Sequence, residues 1–96
     1  HPGLITPEEV SAARRQGVAL ELTSRGGHSL TNGHVAALAR RLRCPMLVNS
    51  DCHATGDLHA PALRRKVVAG AGLAPRFLAA CDREAAKRLR ETLARR

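Results

Sequence analysis

Aromatic side chains are nearly absent from this sequence. Its 96 residues include no Trp, no Tyr and a single Phe, Phe77, although 44% of the residues are apolar. A core must therefore consist mainly of Leu, Val and Ala. A domain of this size buries only about 60–65% of its unfolded-state surface, which makes it marginally stable on its own. The chain also begins with His1 rather than Met, so we expect it to be part of a longer protein.

Paired cysteines and long apolar runs are lacking as well. Cys44, Cys52 and Cys81 are odd in number and show no C-x-x-C spacing, which disfavours a disulfide framework and a zinc knuckle. Cys44 and Cys81 are expected to be small buried hydrophobes near helix ends. No apolar run reaches the length that spans a bilayer, and no signal-peptide pattern is present. We therefore expect a cytoplasmic protein with no membrane partner.

Positive charge is abundant, because the sequence has 16 Lys and Arg residues but only 8 Asp and Glu residues, which gives a formal net charge of +8. Most of the basic residues fall in predicted helices. No basic stripe alternates with aromatic side chains, as is usual in proteins that bind single strands. We interpret the basic residues as the solvated outer faces of helices, while a patch that attracts phosphate backbones remains an alternative.

Helices and strands alternate along the predicted chain. Thr6-Pro7-Glu8-Glu9 has the pattern of a capping box, and Gly17 ends the helix that follows. The later predicted elements are a strand at 18–23, a loop at 24–30, a helix from 31 or 32 to 42, a strand at 46–49, a helix from after 57 to 70, a short helix through 78 and a last helix capped by Asp82. This order is typical of a parallel α/β barrel.

A carboxylate and an imidazole follow the second predicted strand directly. Asp51 and His53 lie two residues apart, and side chains at i and i+2 of an extended segment share one face. Oxygen and nitrogen ligands of these types suit zinc, manganese or iron. Such a pair also arises by chance in a chain with 5 His residues, so its interpretation depends on the surrounding segments.

Four segments together resemble the PHP family, the polymerase and histidinol phosphatase phosphoesterases, and most closely its histidinol-phosphatase-like members. They are HPGLITP at 1–7, ALELT at 19–23, GHSLTNGH at 27–34 and NSDCH at 49–53. The resemblance implies an α/β fold in which residues 1–96 are the C-terminal part of a single, distorted (β/α)7 barrel of alternating helices and parallel strands. The family's early His-x-His motif and its middle Glu and His ligands have no counterpart, so the resemblance implies that the remainder of the barrel is missing.

The resemblance also implies a metal site. In the family, the His of the H-P-G segment and the Asp and His of D-x-H are ligands, which carry over to His1, Asp51 and His53. A complete barrel holds up to three divalent ions, and this chain would supply about a third of the ligands. Active sites of parallel barrels lie at the carboxyl ends of strands, which agrees with the position of the D-x-H pair. The alternative for His1 is an exposed terminal residue or the remnant of a tag.

Other polar residues near the predicted strand ends are candidates for substrate binding. Arg25 and His28 lie on the loop after the first strand, where the Arg25 guanidinium could hold a phosphate through bidentate hydrogen bonds. Glu21 either orients a metal ligand or pairs with an Arg, since a carboxylate in an apolar strand needs a partner. His34, on the next helix, is expected to be structural or exposed.

The reaction implied by the resemblance is hydrolysis of a small-molecule phosphate ester by a metal-activated water, without a protein nucleophile. We expect the 96 residues alone to be inactive, because most of the ligand set would be missing. Two other classes of function remain open. One is a PHP nuclease or polymerase-associated PHP domain acting on DNA, and the other is a non-catalytic basic binding module.

Overall fold

The computed structural model of the chain describes residues 1–24, 27–49 and 61–95. The elements along these residues are helix α1 (Pro7–Arg15), strand β1 (Leu20–Thr23), a 3₁₀ turn (His28–Thr31), helix α2 (Asn32–Leu42), strand β2 (Met46–Asn49), helix α3 (Pro61–Gly70) and helix α4 (Arg76–Ala94). Helix therefore predominates over strand in this mixed α/β structure.

The start of α1 forms as the sequence predicts. The Thr6 Oγ1 accepts a hydrogen bond from the Glu9 backbone N–H at 3.2 Å, and the Glu9 Oε1 accepts one from the Thr6 N–H at 3.1 Å. These two bonds complete a capping box and satisfy two donors that a helix start would otherwise leave unpaired. Gly17 follows the helix with a φ of 72°, a left-handed conformation that favours glycine.

The two strands are parallel and pair over their full length. Leu20 lies opposite Met46 and Thr23 lies opposite Asn49. The Leu20 N–H donates to the Pro45 carbonyl at 2.9 Å, so the peptide groups of Leu20 face β2. Because peptide groups alternate in direction along a strand, those of Glu21 and Thr23 face the opposite edge of β1.

The expectation of a (β/α)7 barrel portion is wrong. Across the described residues the chain forms four α-helices and two parallel strands of four residues each. Barrel closure requires a sheet that hydrogen-bonds back onto itself, and a pair of short strands does not provide one. Residues 1–6 form no strand before α1, because Gly3 has a φ of 61° and its N–H turns back to the His1 ring. That residues 1–96 belong to a single domain remains a prediction.

The core lies where the helices cover the sheet, and it consists mainly of Leu, Val and Ala, as the shortage of aromatic residues predicts. Leu22 in β1, Val10 in α1, Val35 in α2 and Val68 in α3 are the large apolar residues buried most completely. Phe77 is half-buried and packs against this cluster from α4. All four helices therefore contribute side chains to the core that packs against the two strands.

Two predicted boundaries differ from the structure. The first strand begins at Leu20 rather than at residue 18, since Val18 is 47% exposed and its N–H donates to the Ala13 carbonyl after α1. Asp82 does not cap a separate helix, because α4 runs unbroken through it and its carboxylate binds the Arg64 guanidinium of α3 through two hydrogen bonds.

None of the helices in the described ranges has the combination of length and apolar character that crossing a membrane requires.

Candidate metal site at the carboxyl edge of the sheet

Both strands leave the sheet at one edge, which we call the carboxyl edge. Thr23 ends β1 opposite Asn49, the last residue of β2. Asp51 and His53 follow Asn49 closely in the sequence but lie outside the described residues, so the predicted convergence of these two side chains with His1 remains a prediction. The part of this edge that the structure describes comprises Thr23, the start of α2 and the first residues of the chain.

Asn32, the first residue of α2, binds the end of β1. Its Oδ1 accepts a hydrogen bond from the Thr23 N–H at 3.1 Å, and its Nδ2 donates to the Thr23 carbonyl at 2.7 Å. The amide therefore satisfies both peptide groups that Thr23 directs away from β2, as a neighbouring strand would. Asn32 is only 5% exposed and Thr23 is fully buried, so each of these bonds replaces a hydrogen bond that water would otherwise provide.

His1 lies against the same amide. Its imidazole is buried, with 2% of the side chain exposed, and its Nε2 lies 2.9 Å from the Asn32 Oδ1. The other ring nitrogen, Nδ1, accepts a hydrogen bond from the Gly3 N–H at 3.1 Å and lies 3.3 Å from the Thr31 hydroxyl. His1 is thus an integral part of the carboxyl edge, and the alternative that it is an exposed terminal residue does not hold.

The hydrogen bonds determine the tautomer of His1. The Thr23 peptide groups orient the Asn32 amide, so its Oδ1 faces the imidazole and acts as an acceptor. The Nε2 must then carry the proton, and the lone pair lies on Nδ1, where the Gly3 N–H donates. A ring that donates one N–H to a carbonyl oxygen has the arrangement that orients histidine ligands of metals. A metal at Nδ1 would replace the contacts from Gly3 and Thr31.

The other predicted site residues are only partly described. Glu21 is half-buried, and its Oε2 lies 3.9 Å from the backbone nitrogen of His1. Arg25 lies outside the described residues. His28 begins the 3₁₀ turn that leads to Thr31, but its side chain is not described. Within the described ranges no group of three or more His, Cys, Asp and Glu side chains could hold a metal ion.

His34 does not join the candidate site. It is exposed on α2, and its Nε2 lies 2.6 Å from the Ile5 carbonyl, to which it donates. This contact attaches the first residues of the chain to α2. The structure thus confirms that His34 is an exposed, structural histidine, and it provides a natural control for experiments on His1.

A cavity of about 280 Å³ adjoins the candidate site. Its walls are formed by Ser24, Ser29, Asn32, Leu63, Lys66, Val67 and Gly70. Asn32 lines the cavity and also binds His1, so the cavity and the imidazole are separated by a single side chain. Sequence reasoning missed Asn32, which has the pattern of a helix start. Lys66 is exposed on α3, as predicted for a solvated helix face, but the sequence did not indicate that it also lines this cavity.

A second cavity, of about 360 Å³, lies at the opposite end of the strands and is lined mainly by apolar groups, among them Cys44, Met46, Phe77 and Cys81. Both cysteines are free and 4% exposed, which confirms that they are buried hydrophobes. Cys44 follows the end of α2 as predicted, whereas Cys81 lies within α4. Burial raises the pKa of both thiols. The guanidinium of Arg40 lies 4.8 Å from the centre of the Phe77 ring, within cation–π range.

The basic residues of α4 have two kinds of environment. Arg83, Lys87 and Arg90 are exposed, as expected for a solvated helix face. Arg88 is half-buried, pairs with Glu84 at 2.8 Å and donates to the Gly17 carbonyl at 2.8 Å, so it joins α4 to the end of α1. The three exposed residues are therefore more accessible to an external anion than Arg88 is.

One curated relative is similar to this chain. An uncharacterized protein of Methanocaldococcus jannaschii is 42% identical over 73 residues, which make up 76% of this chain and 34% of that protein. The chain therefore spans about a third of the length of the curated relative it matches. No family model matches the chain, and no solved structure matches it.

Proposed function

We propose that the chain contributes to the site of a metal-dependent phosphoesterase, which hydrolyses a phosphate ester with a metal-activated water. The observation that carries the proposal is the buried imidazole of His1, which Asn32 orients at the edge where both strands end. In the sequence, the D-x-H pair begins two residues after Asn49, the last residue of β2. The PHP resemblance supports the reaction class and the ligand types, whereas the barrel it implied is not part of the proposal.

The donor types fit divalent zinc, manganese or iron. His1 would bind through Nδ1, which carries the lone pair, while Asp51 and His53 would add an oxygen and a nitrogen ligand. A divalent cation, when bound, lowers the pKa of water and neutralises phosphoryl oxygens. The protein's own contribution is positioning, because the Thr23 peptide orients Asn32 and Asn32 orients the His1 ring.

The test is Asp51→Asn in the intact protein, with Asp82→Asn as the matched control on α4. The Asp51→Asn variant should keep its fold, lose hydrolysis of a small phosphomonoester and bind about one metal ion fewer per chain. Excess manganese or zinc should restore part of the activity. The control variant should keep its activity, because Asp82 is exposed and its carboxylate binds Arg64 rather than a residue of the candidate metal site. Wild-type turnover and full metal content in the Asp51→Asn variant would refute the proposal.

A DNA substrate is the second candidate, and the exposed row of Arg83, Lys87 and Arg90 on α4 favours it. These residues are spaced so that they share one helix face. Changing all three to Gln should leave turnover of a small phosphomonoester unchanged if the substrate is a small molecule. A nuclease, or a non-catalytic basic module, should instead lose DNA affinity and show a shallower dependence of binding on salt. Only the nuclease would also need metal. Location in the cytoplasm remains a prediction, which rests on the lack of a membrane-spanning apolar run and of a signal-peptide pattern in the sequence.

A further inference from the structure

We propose that the cavity of about 280 Å³ beside Asn32 is a subsite for the phosphate group, with Lys66 as its cation and Ser24 and Ser29 as hydroxyl donors. The inference rests on the proposed function and deepens it, since it names where the phosphate of the ester binds. It uses none of the three candidate metal ligands, so it can be tested without metal.

The lining of the cavity is brought together from separate parts of the fold. Ser24 follows β1, Ser29 lies in the 3₁₀ turn, Asn32 begins α2, and Lys66 extends from α3. Leu63 and Val67 provide apolar walls around these polar groups. The volume of about 280 Å³ lies just below the usual range for ligand pockets, about 300–1,000 Å³, which suits a small anion.

Three of the polar side chains that line the cavity, those of Ser24, Ser29 and Lys66, have no partner among the described residues. Among residues 1–24, 27–49 and 61–95, no carboxylate forms an ion pair with Lys66, and the hydroxyls of Ser24 and Ser29 make no hydrogen bond. An ammonium group has three donors and no acceptor, and hydroxyls can donate to phosphoryl oxygens. The neighbouring Arg64 differs, because Asp82 already neutralises it. The chemistry of the cavity therefore selects an anion.

Asn32 connects the subsite to the candidate metal ligand. Its Nδ2 donates one hydrogen to the Thr23 carbonyl, and an amide nitrogen has a second hydrogen to donate. Its Oδ1 binds His1. A phosphate in the cavity would thus lie one side chain away from the imidazole, on the side of the edge that Lys66 makes positive.

The experiment measures binding of inorganic phosphate to the full chain by titration calorimetry in excess EDTA. Wild type should bind phosphate, and Lys66→Met should bind it at least about tenfold more weakly, because the charged donor that holds the anion is lost. Lys87→Met, which changes an exposed lysine on α4, is the matched control and should bind like wild type. Lys66→Arg should retain binding, and Ser24→Ala and Ser29→Ala should each weaken it several-fold.

Two results would overturn the subsite. One is a wild-type chain that does not bind phosphate in EDTA, and the other is equal binding by the Lys66→Met and Lys87→Met variants. Circular dichroism of each variant distinguishes a loss of phosphate binding from a loss of fold. Because EDTA removes metals, phosphate binding that depends on Lys66 would stand even if Asp51→Asn left hydrolysis unchanged. Hydrolysis that depends on Asp51 would likewise stand if Lys66 proved irrelevant to phosphate binding.

Discussion

The two ends of the short sheet are built from different kinds of side chain. At the end where the strands begin, Leu20 pairs with Met46, and the buried thiol of Cys44 lies next to them. At the end where the strands finish, the fully buried Thr23 is bound by the Asn32 amide, which in turn binds His1. Both ends adjoin a cavity of similar size, about 360 Å³ and about 280 Å³.

The difference between the two ends indicates which one is suited to binding a ligand. The apolar end gains stability from burial, and its thiols donate only weakly, as in the 3.4 Å contact from Cys44 Sγ to the Val18 carbonyl. The carboxyl edge buries an imidazole and an amide, which is costly unless every donor and acceptor is satisfied. Such a network holds its members in one geometry. The carboxyl edge is therefore the end suited to positioning a ligand.

The largest loss of stability should come from a substitution that affects both ends of the sheet together. Leu22 is fully buried in the middle of β1, between the apolar end and Thr23. Leu22→Ala should lower the free energy of unfolding by about 2–5 kcal/mol, because it removes apolar contacts and leaves a cavity. Urea denaturation measures this. Leu30→Ala is the control: Leu30 is 87% exposed, so its truncation should change stability by less than about 0.5 kcal/mol.

A second pair of substitutions compares the contributions of the two ends of the sheet to stability. Asn32→Leu keeps a side chain of similar size but removes the hydrogen bonds that Asn32 makes with the Thr23 peptide groups and with the His1 Nε2, at a cost of about 3 kcal/mol. Cys44→Ala at the apolar end should cost only about 1 kcal/mol, since it removes one small, weakly bonded group. Urea denaturation of both variants measures the difference. Equal losses of stability would mean that the polar network has no special importance.

The smallest predicted effect on stability comes from the buried thiols of Cys44 and Cys81, and it appears only at high pH. Burial raises the pKa of Cys44, although Arg88 and Arg14 oppose the rise, and burial together with Asp82 raises the pKa of Cys81 against the opposing charge of Arg64. The thiols should thus contribute fully to stability below their ordinary value of 9.0, and this contribution should be lost as pH rises through the folded-state pKa.

Thermal melting of wild type and of the Cys44→Ala/Cys81→Ala double variant across this pH range measures the effect. The melting temperature of wild type should fall more steeply above pH 9.0 than that of the variant, because the variant lacks these two buried thiols. Parallel curves for the two proteins would show that other groups cause the decline.

Local signals in the sequence predict local structure well, as α1 and β2 illustrate. The capping box of Thr6 and Glu9 and the run Met46–Asn49 involve only neighbouring residues, and both form as predicted. The size of the sheet depends instead on pairing between distant segments, for which a resemblance was a poor guide. Asp82 has the residue type of a helix cap, but a carboxylate will bind a nearby guanidinium, and that of Arg64 lies 18 residues away in the sequence.

The candidate site shows the same limit. His1 could be found from its place in a recognisable segment, because that signal is local. Asn32 and Lys66 could not, since their roles depend on contacts across the fold: the Asn32 amide binds a peptide group 9 residues earlier, and Lys66 reaches the cavity from another helix. Helix-start residues normally turn their side chains toward their own helix, whereas Asn32 turns toward β1.

Metal binding by His1 is the most direct test of the candidate site at the carboxyl edge. Elemental analysis of the intact protein should show that His1→Gln lowers the metal content by about one ion per chain, because the Nδ1 ligand is lost while a Gln amide can still donate to Asn32. His34→Gln removes a histidine that instead binds the Ile5 carbonyl, and it should leave the metal content unchanged. A folded His1→Gln variant with its full complement of metal would contradict the assignment of the carboxyl edge as a metal site.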